Sequence, residues 1–143
     1  MNTFTTQTLI SAAEVQKLIR VGLPVTDDQG LEVTAVSHDA ASVRIPYHPR
    51  QLRPGDSMSG PVLMAAADAA MYALLLALGA DQNEMALTSQ FNCHFLARAL
   101  PGDVIADARV LRQGRRMAVL QVEVRTTARD DLAALVTGTY VLP

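Results

Sequence analysis

Residues 62 to 80 form an apolar run interrupted by one carboxylate, Asp68. An unpaired carboxylate is costly to bury, so an aspartate in this setting either has a partner that holds it or has chemistry to perform. The hydroxyl of Tyr72, four residues further on, and a donor on a strand are the candidate partners. The run opens on Ser59-Gly60-Pro61. Ser59 suits an N-cap, the Gly60 amide would be one of the unpaired N–H groups at the positive end of the helix, and Pro61 has no N–H to offer. Such an amide can stabilise an oxygen that gains negative charge during a reaction. Gly60 and Asp68 are eight residues apart, so on one helix their backbones stand about 12 Å apart along the axis. A carboxylate must come within about 3.5 Å of the reacting carbon, whose oxygen lies about 3 Å from the donor. A single helix is poorly placed to supply both. If both groups serve one reaction, the spacing points to a site shared between two copies of the chain, Asp68 from one and Gly60 from the other.

Other groups are less promising. His38, His48 and His94 show no paired ligand spacing and there is one cysteine, Cys93, which argues against a metal site and a disulfide framework and fits a reducing compartment. GDSMSGP, residues 55 to 61, superficially resembles the surroundings of a nucleophilic serine, but Ser57 fails the G-x-S-x-G pattern because position 59 is Ser. A formal net charge of −2 provides no global field for nucleic acid or anionic lipid, so an anionic ligand must be met by local arginines. The N-terminus has no early positive charge and no unbroken apolar core, so it does not read as a secretory signal, and the expected location is cytoplasmic. The 19 residues from Val62 to Ala80 approach the length of a membrane span. Asp68 would cost about 2.5 to 3.5 kcal/mol there and no Lys/Arg cluster flanks either end. The expectation is a helix apolar all round and enclosed by protein.

The elements that must position these groups follow from periodicity. Residues 11 to 22 begin with Ser11 as a cap and place Val15, Leu18 and Ile19 on one face before Gly22 and Pro24, a short amphipathic helix. Leu31, Val33 and Ala35, then Val43 and Ile45, alternate with polar residues across a His38-Asp39 turn and read as two strands. Residues 47 to 59 read as a loop. After the long helix, residues 85 to 96 alternate: Met85, Leu87, Phe91, Cys93 and Phe95 on one side, Thr88, Gln90, Asn92 and His94 on the other. Pro101-Gly102-Asp103 leads into Val104, Ala106, Ala108 and Val110. A Gln113-Gly114-Arg115 hairpin follows, then Ala118, Leu120, Val122 and Val124, a turn at residues 129 to 131, and a last strand from Leu132 to Leu142. An antiparallel sheet can bury its apolar face by curling around the long helix. The seven alanines between positions 65 and 77 let strands approach that helix closely.

This order, with SGPVLMAAADAAMY, FNCHFL and VLRQGRRMAVLQVEV, resembles the hotdog-fold thioesterases of the PaaI-like group from about residue 30 to the C-terminus. The resemblance implies an α+β hotdog fold: an antiparallel sheet of about six strands wrapped around a long central helix, with a short N-terminal helix, in one domain spanning residues 1–143. It implies an acyl-CoA thioesterase in which Asp68 is nucleophile or general base, the Gly60 amide of a partner subunit is the oxyanion donor, and Thr88 stands where some relatives place a Ser that orients water. Arg112, Gly114, Arg115 and Arg116 match the Gly-basic hairpin that contacts the nucleotide in relatives. The chain departs from the pattern at the helix start, where many relatives carry His-Gly-Gly in place of Ser59-Gly60-Pro61. It departs again at Arg53, where some carry an Asn; an arginine there could hold Asp68 or a phosphate. No cofactor is implied, and because a thiolate of parent pKa roughly 8.5 leaves without an acid, a carboxylate, a water and an oxyanion donor suffice. The implied partners are acyl-CoA and other copies of the chain, as a homodimer or dimer of dimers, with no nucleic acid and no membrane. A hotdog dehydratase would need a His beside Asp68, and the spacing supplies none. A noncatalytic acyl-CoA-binding or regulatory hotdog protein is the alternative from another class.

Overall fold

The computed structural model describes residues 9–143. The first eight residues of the segment read for a secretory signal lie outside the described residues. Ser11 caps α1 (Ala12–Gly22), its hydroxyl accepting from the Glu14 amide at 3.2 Å. Val15 and Ile19 are buried as the spacing requires, whereas Leu18, expected beside them, is largely exposed. The chain does not simply stop at Gly22: Leu23 leaves the helical region and Pro24 opens an additional short helix, α2 (Pro24–Asp28), at a position where its missing N–H costs nothing. β1 (Glu32–Val36) and β2 (Ala40–Ile45) pair antiparallel. A bulge between Val33 and Ala35 breaks the expected alternation, leaving Ala35 exposed while Val36 packs on the core. The stretch read as a plain loop holds a 3-10 turn, Pro49–Gln51, and a small hairpin of β3 (Leu52–Arg53) and β4 (Ser57–Met58).

The long helix, α3, runs Gly60–Asn83, with non-helical dihedrals at Gly79, where the sequence period ends. The Leu75 carbonyl near that break accepts from the buried Asn83 side chain at 2.8 Å. Four strands follow: β5 (Leu87–Phe95), β6 (Val104–Gln113), β7 (Met117–Thr126) and β8 (Ala134–Val141). They complete a six-stranded antiparallel sheet of order β1-β2-β6-β7-β8-β5, curled around α3. The final strand is shorter at both ends than expected. Its core face interlocks with the helix at Gly138, where a Cβ would stand 2.5 Å from Met71 Sδ. Leu74, Leu75, Leu120, Val122 and Val124 are fully buried, each contributing about 1.5–3 kcal/mol of transfer free energy. α3 is long and apolar enough to cross a membrane by length and composition, yet most of it is buried inside this domain. It packs chiefly against β2, β6 and β7, so β5, at the edge of the sheet, is left open on both faces along much of its length.

Candidate functional site

Asp68 is not enclosed as the apolar run suggested. Pro61, Met64 and Asp68 are exposed and Ala65 and Tyr72 half-buried, so residues at helical spacing form a stripe along α3 that the sheet does not cover. The carboxylate sits on that stripe without the full cost of burial. It is also held. Oδ1 accepts from the Tyr140 hydroxyl at 2.6 Å and from Thr88 Oγ1 at 3.1 Å, and the Tyr140 hydroxyl lies 3.2 Å from the Asp68 backbone carbonyl as well. The strand donors, not Tyr72, are its partners. Among the described residues, no hydrogen bond reaches Oδ2.

Thr88 arrives at this position through a bulge. β5 pairs with β8 so that Thr88 faces Tyr140 while Gln90 faces Thr139, with a register shift between them. Neighbours on β8 point to opposite faces, so Thr88 shares the helix-side face with Phe91, Cys93 and Phe95. The expectation that Thr88 lines up with Gln90, Asn92 and His94 is thereby corrected; those three lie on the outer face. Tyr140 is buried, and its ring stacks on that of Tyr72, with centroids 6.5 Å apart and planes inclined by 11°. Tyr72 in turn donates to the Glu84 carbonyl at 2.6 Å. Burial, then the neighbouring Asp68 carboxylate, drives the Tyr140 phenol far above its ordinary range, so it remains a donor at any working pH. Burial and then Glu84 raise the Tyr72 phenol in the same direction.

Asp68, Thr88 and Tyr140 line a cavity of about 400 Å³. Leu23, Val25, Ala65, Ala69 and Leu87 make its walls largely apolar, and α2, which periodicity did not reveal, supplies Val25, with Leu23 at its N-cap. Gly60 lies elsewhere, in a cavity of about 610 Å³ with Arg53, Phe95 and Arg98. Ser59 occupies the N-cap position, but its side chain makes no capping bond; its amide donates to the Gln51 carbonyl at 2.9 Å. The Gly60 amide has no acceptor among the described residues. Arg53 forms no ion pair with Asp68. Gly114 and Arg115 line a third cavity, about 620 Å³, with Asp81 and Met85. The connection from α3 to β5 contributes to both cavities, Met85 to this one and Glu84 and Ala86 to that of Asp68. Arg116 is exposed beside the hairpin, and Arg112, in register with Val119 after a bulge, stands on the outer sheet face. One chain thus joins Asp68 to Thr88 and separates both from Gly60.

Tyr140 and Arg98 escaped the sequence reading. The alternation of Val136, Gly138 and Tyr140 places Tyr140 on the helix side, but nothing local ties it to a residue 72 positions earlier.

Residues 55–133 match the family model described as the thioesterase superfamily. A Thermoplasma acidophilum protein described as an esterase is 27 % identical over 111 residues, covering 78 % of this chain and 82 % of that protein. A solved structure from a Silicibacter species, described as a thioesterase, superposes with a TM-score of 0.85 at 27 % identity, covering 96 % of this chain and 94 % of the other. A mutant of the phenylacetic acid degradation protein PaaI from Thermus thermophilus gives a TM-score of 0.70 at 26 % identity, with 82 % of this chain and 97 % of that one covered.

Proposed function

The chain belongs to the thioesterase superfamily and is a thioester hydrolase, and from that premise we propose that it cleaves an acyl-CoA to a carboxylic acid and free CoA at a site shared by two subunits. The observation that carries this reading is Asp68: a carboxylate on an uncovered helix stripe, secured through Oδ1, at the edge of an apolar cavity. As general base, Asp68 takes a proton from water while the water oxygen bonds to the thioester carbon. As nucleophile, it bonds to that carbon itself, and water then hydrolyses the resulting anhydride. In either route the carbonyl oxygen becomes an oxyanion, and collapse of the adduct breaks the C–S bond and releases the thiolate. Apolar walls with Glu84 nearby suit an uncharged acyl group.

The oxyanion donor comes from the partner's helix start. Within one chain, Gly60 lies against Phe95, at one end of β5, and Asp68 lies against Thr88, at the other. β5 is a nine-residue strand with one edge unpaired, the kind of edge that invites another strand. Two copies joined antiparallel through it about a two-fold axis bring the Phe95 end of one beside the Thr88 end of the other. That arrangement places the Gly60 amide, which lacks an acceptor, near the partner's Asp68. The Gly114-Arg115 cavity, to which the α3–β5 connection also contributes, takes the CoA phosphates.

The test is thiol release from a panel of acyl-CoAs by the wild type and Asp68→Asn, with thermal unfolding of both. Asp68→Asn keeps an oxygen for Tyr140 and Thr88 to bond, so it should fold normally while kcat falls about 10²- to 10⁴-fold. Unchanged turnover would remove Asp68 from the mechanism, and acyl-CoA binding without any turnover would overturn the assigned substrate.

A further inference from the structure

We infer that Tyr140 is a positioning residue for the hydrolytic reaction: its hydroxyl, with that of Thr88, immobilises Asp68 Oδ1 and leaves Oδ2 as the oxygen that acts. This rests on the reading of Asp68 as the catalytic carboxylate. An aspartate on an uncovered stripe has two side-chain torsions and two equivalent oxygens, and solvent does not hold either in place. A reaction that needs the carboxylate within about 0.5 Å of one geometry needs a protein group to hold it.

The structure provides such a group with unusual firmness. Tyr140 is 3 % exposed. Its hydroxyl approaches Oδ1 at 2.6 Å and the Asp68 carbonyl at 3.2 Å, so one phenol ties both side chain and backbone of the same residue. Thr88 Oγ1 reaches the same oxygen from β5, at 3.1 Å. Two hydroxyls on adjacent strands therefore converge on one carboxylate oxygen. Beside them, Tyr72 stacks on Tyr140 and is anchored through its hydroxyl to the Glu84 carbonyl, which restrains the phenol ring. Among the described residues, every hydrogen bond to the Asp68 side chain goes to Oδ1 and none to Oδ2. Water or a thioester carbon meets that oxygen, with its lone pairs unengaged and its position set by the oxygen beside it.

The same bonds could simply pin the helix to the sheet, so the test must read more than stability. Tyr140→Phe keeps the ring stack and removes only the hydroxyl. In the wild-type background its kcat should fall about 10- to 100-fold, the loss of a hydrogen bond to a charged group, with KM changed less than about threefold. In the Asp68→Asn background, adding Tyr140→Phe should cause no further loss of residual activity, because Tyr140 acts through Asp68 alone. Should Tyr140→Phe not fold, site-specific replacement of Tyr140 by 3-fluorotyrosine retains the contacts and alters only the donor strength. It should then change kcat in the wild-type background and not beside Asp68→Asn. A Tyr140→Phe enzyme with wild-type kcat, or one that loses the same factor with Asp68 intact and substituted, overturns the positioning role and leaves Asp68 standing. Full activity in Asp68→Asn overturns both.

Discussion

Gly60→Pro is the substitution that isolates the oxyanion donor most cleanly, and the structure sets its expected cost. Proline removes one N–H and is favoured at the first position of a helix. Ser59, which would precede it, already holds φ −72° and ψ 149°, the extended conformation that a following proline demands. The Gly60 amide has no acceptor among the described residues, so the fold loses no hydrogen bond. The steric charge is a Cβ 3.2 Å from Phe95 Cζ, and that ring, 55 % exposed, can yield by the few tenths of an ångström required. Pro61 disfavours helical backbone at residue 60 once it carries a Cβ, so the matched control is Gly60→Ala, which incurs that penalty and keeps the N–H. The two variants should unfold within about 5 °C of each other, a difference of about 1 kcal/mol. In a thiol-release assay Gly60→Pro should fall about 10²- to 10³-fold in kcat below Gly60→Ala, or about 2.7–4 kcal/mol, the usual value of one oxyanion donor. Equal kcat in the two variants would refute the assignment, however far both fell below the wild type.

Mixing Asp68→Asn with Gly60→Pro subunits should restore activity if the site is shared, since random exchange makes half the dimers mixed and each has one intact site, or about a quarter of wild-type sites. Activity no greater than the sum of the parents would confine each site to one chain. Replacing both Arg115 and Arg116 by Ala should raise KM for an acyl-CoA about 5- to 10-fold while leaving an acyl-pantetheine, which lacks the nucleotide, unaffected; equal effects on both substrates would detach the hairpin from CoA. The Asp103 carboxyl is held below its usual range by the Tyr47 amide and by Arg44. Its folded form thus binds fewer protons than its unfolded form near pH 4, so its contribution is present above about pH 4 and is lost as pH falls through the lower folded value. Acid unfolding of Asp103→Asn should accordingly show a shallower dependence below about pH 4 than the wild type.

Much of the fold was legible because periodicity reports a residue's surroundings directly. Ala118, Leu120, Val122 and Val124 alternate in sequence and are all fully buried, and the run from Val62 becomes the core helix. The failures lie where the chain departs from a fixed period. The bulge before Ala35 and the bulge after Thr88 each insert one residue, and one residue reverses the face of everything beyond it. That reversal matters most at Thr88, which moved from the polar face to Asp68. α2 went unseen because five residues are too few to show a helical period, yet its Val25 and the Leu23 that precedes it border the cavity.

The sequence alone determined that Asp68 is the one carboxylate within a helical apolar run, that Gly60 opens that helix, and that their separation along it keeps them apart. Those are properties of one element, and the rise per residue and the side-chain chemistry decide them. Only the tertiary structure decided that Asp68 is uncovered rather than enclosed, and that Tyr140 and Thr88 hold the same one of its oxygens. Those depend on which strand lies against the helix and in what register, and register across a separation of 72 positions is settled by bulges and by close contacts such as Met71 on Gly138, summed across the whole core.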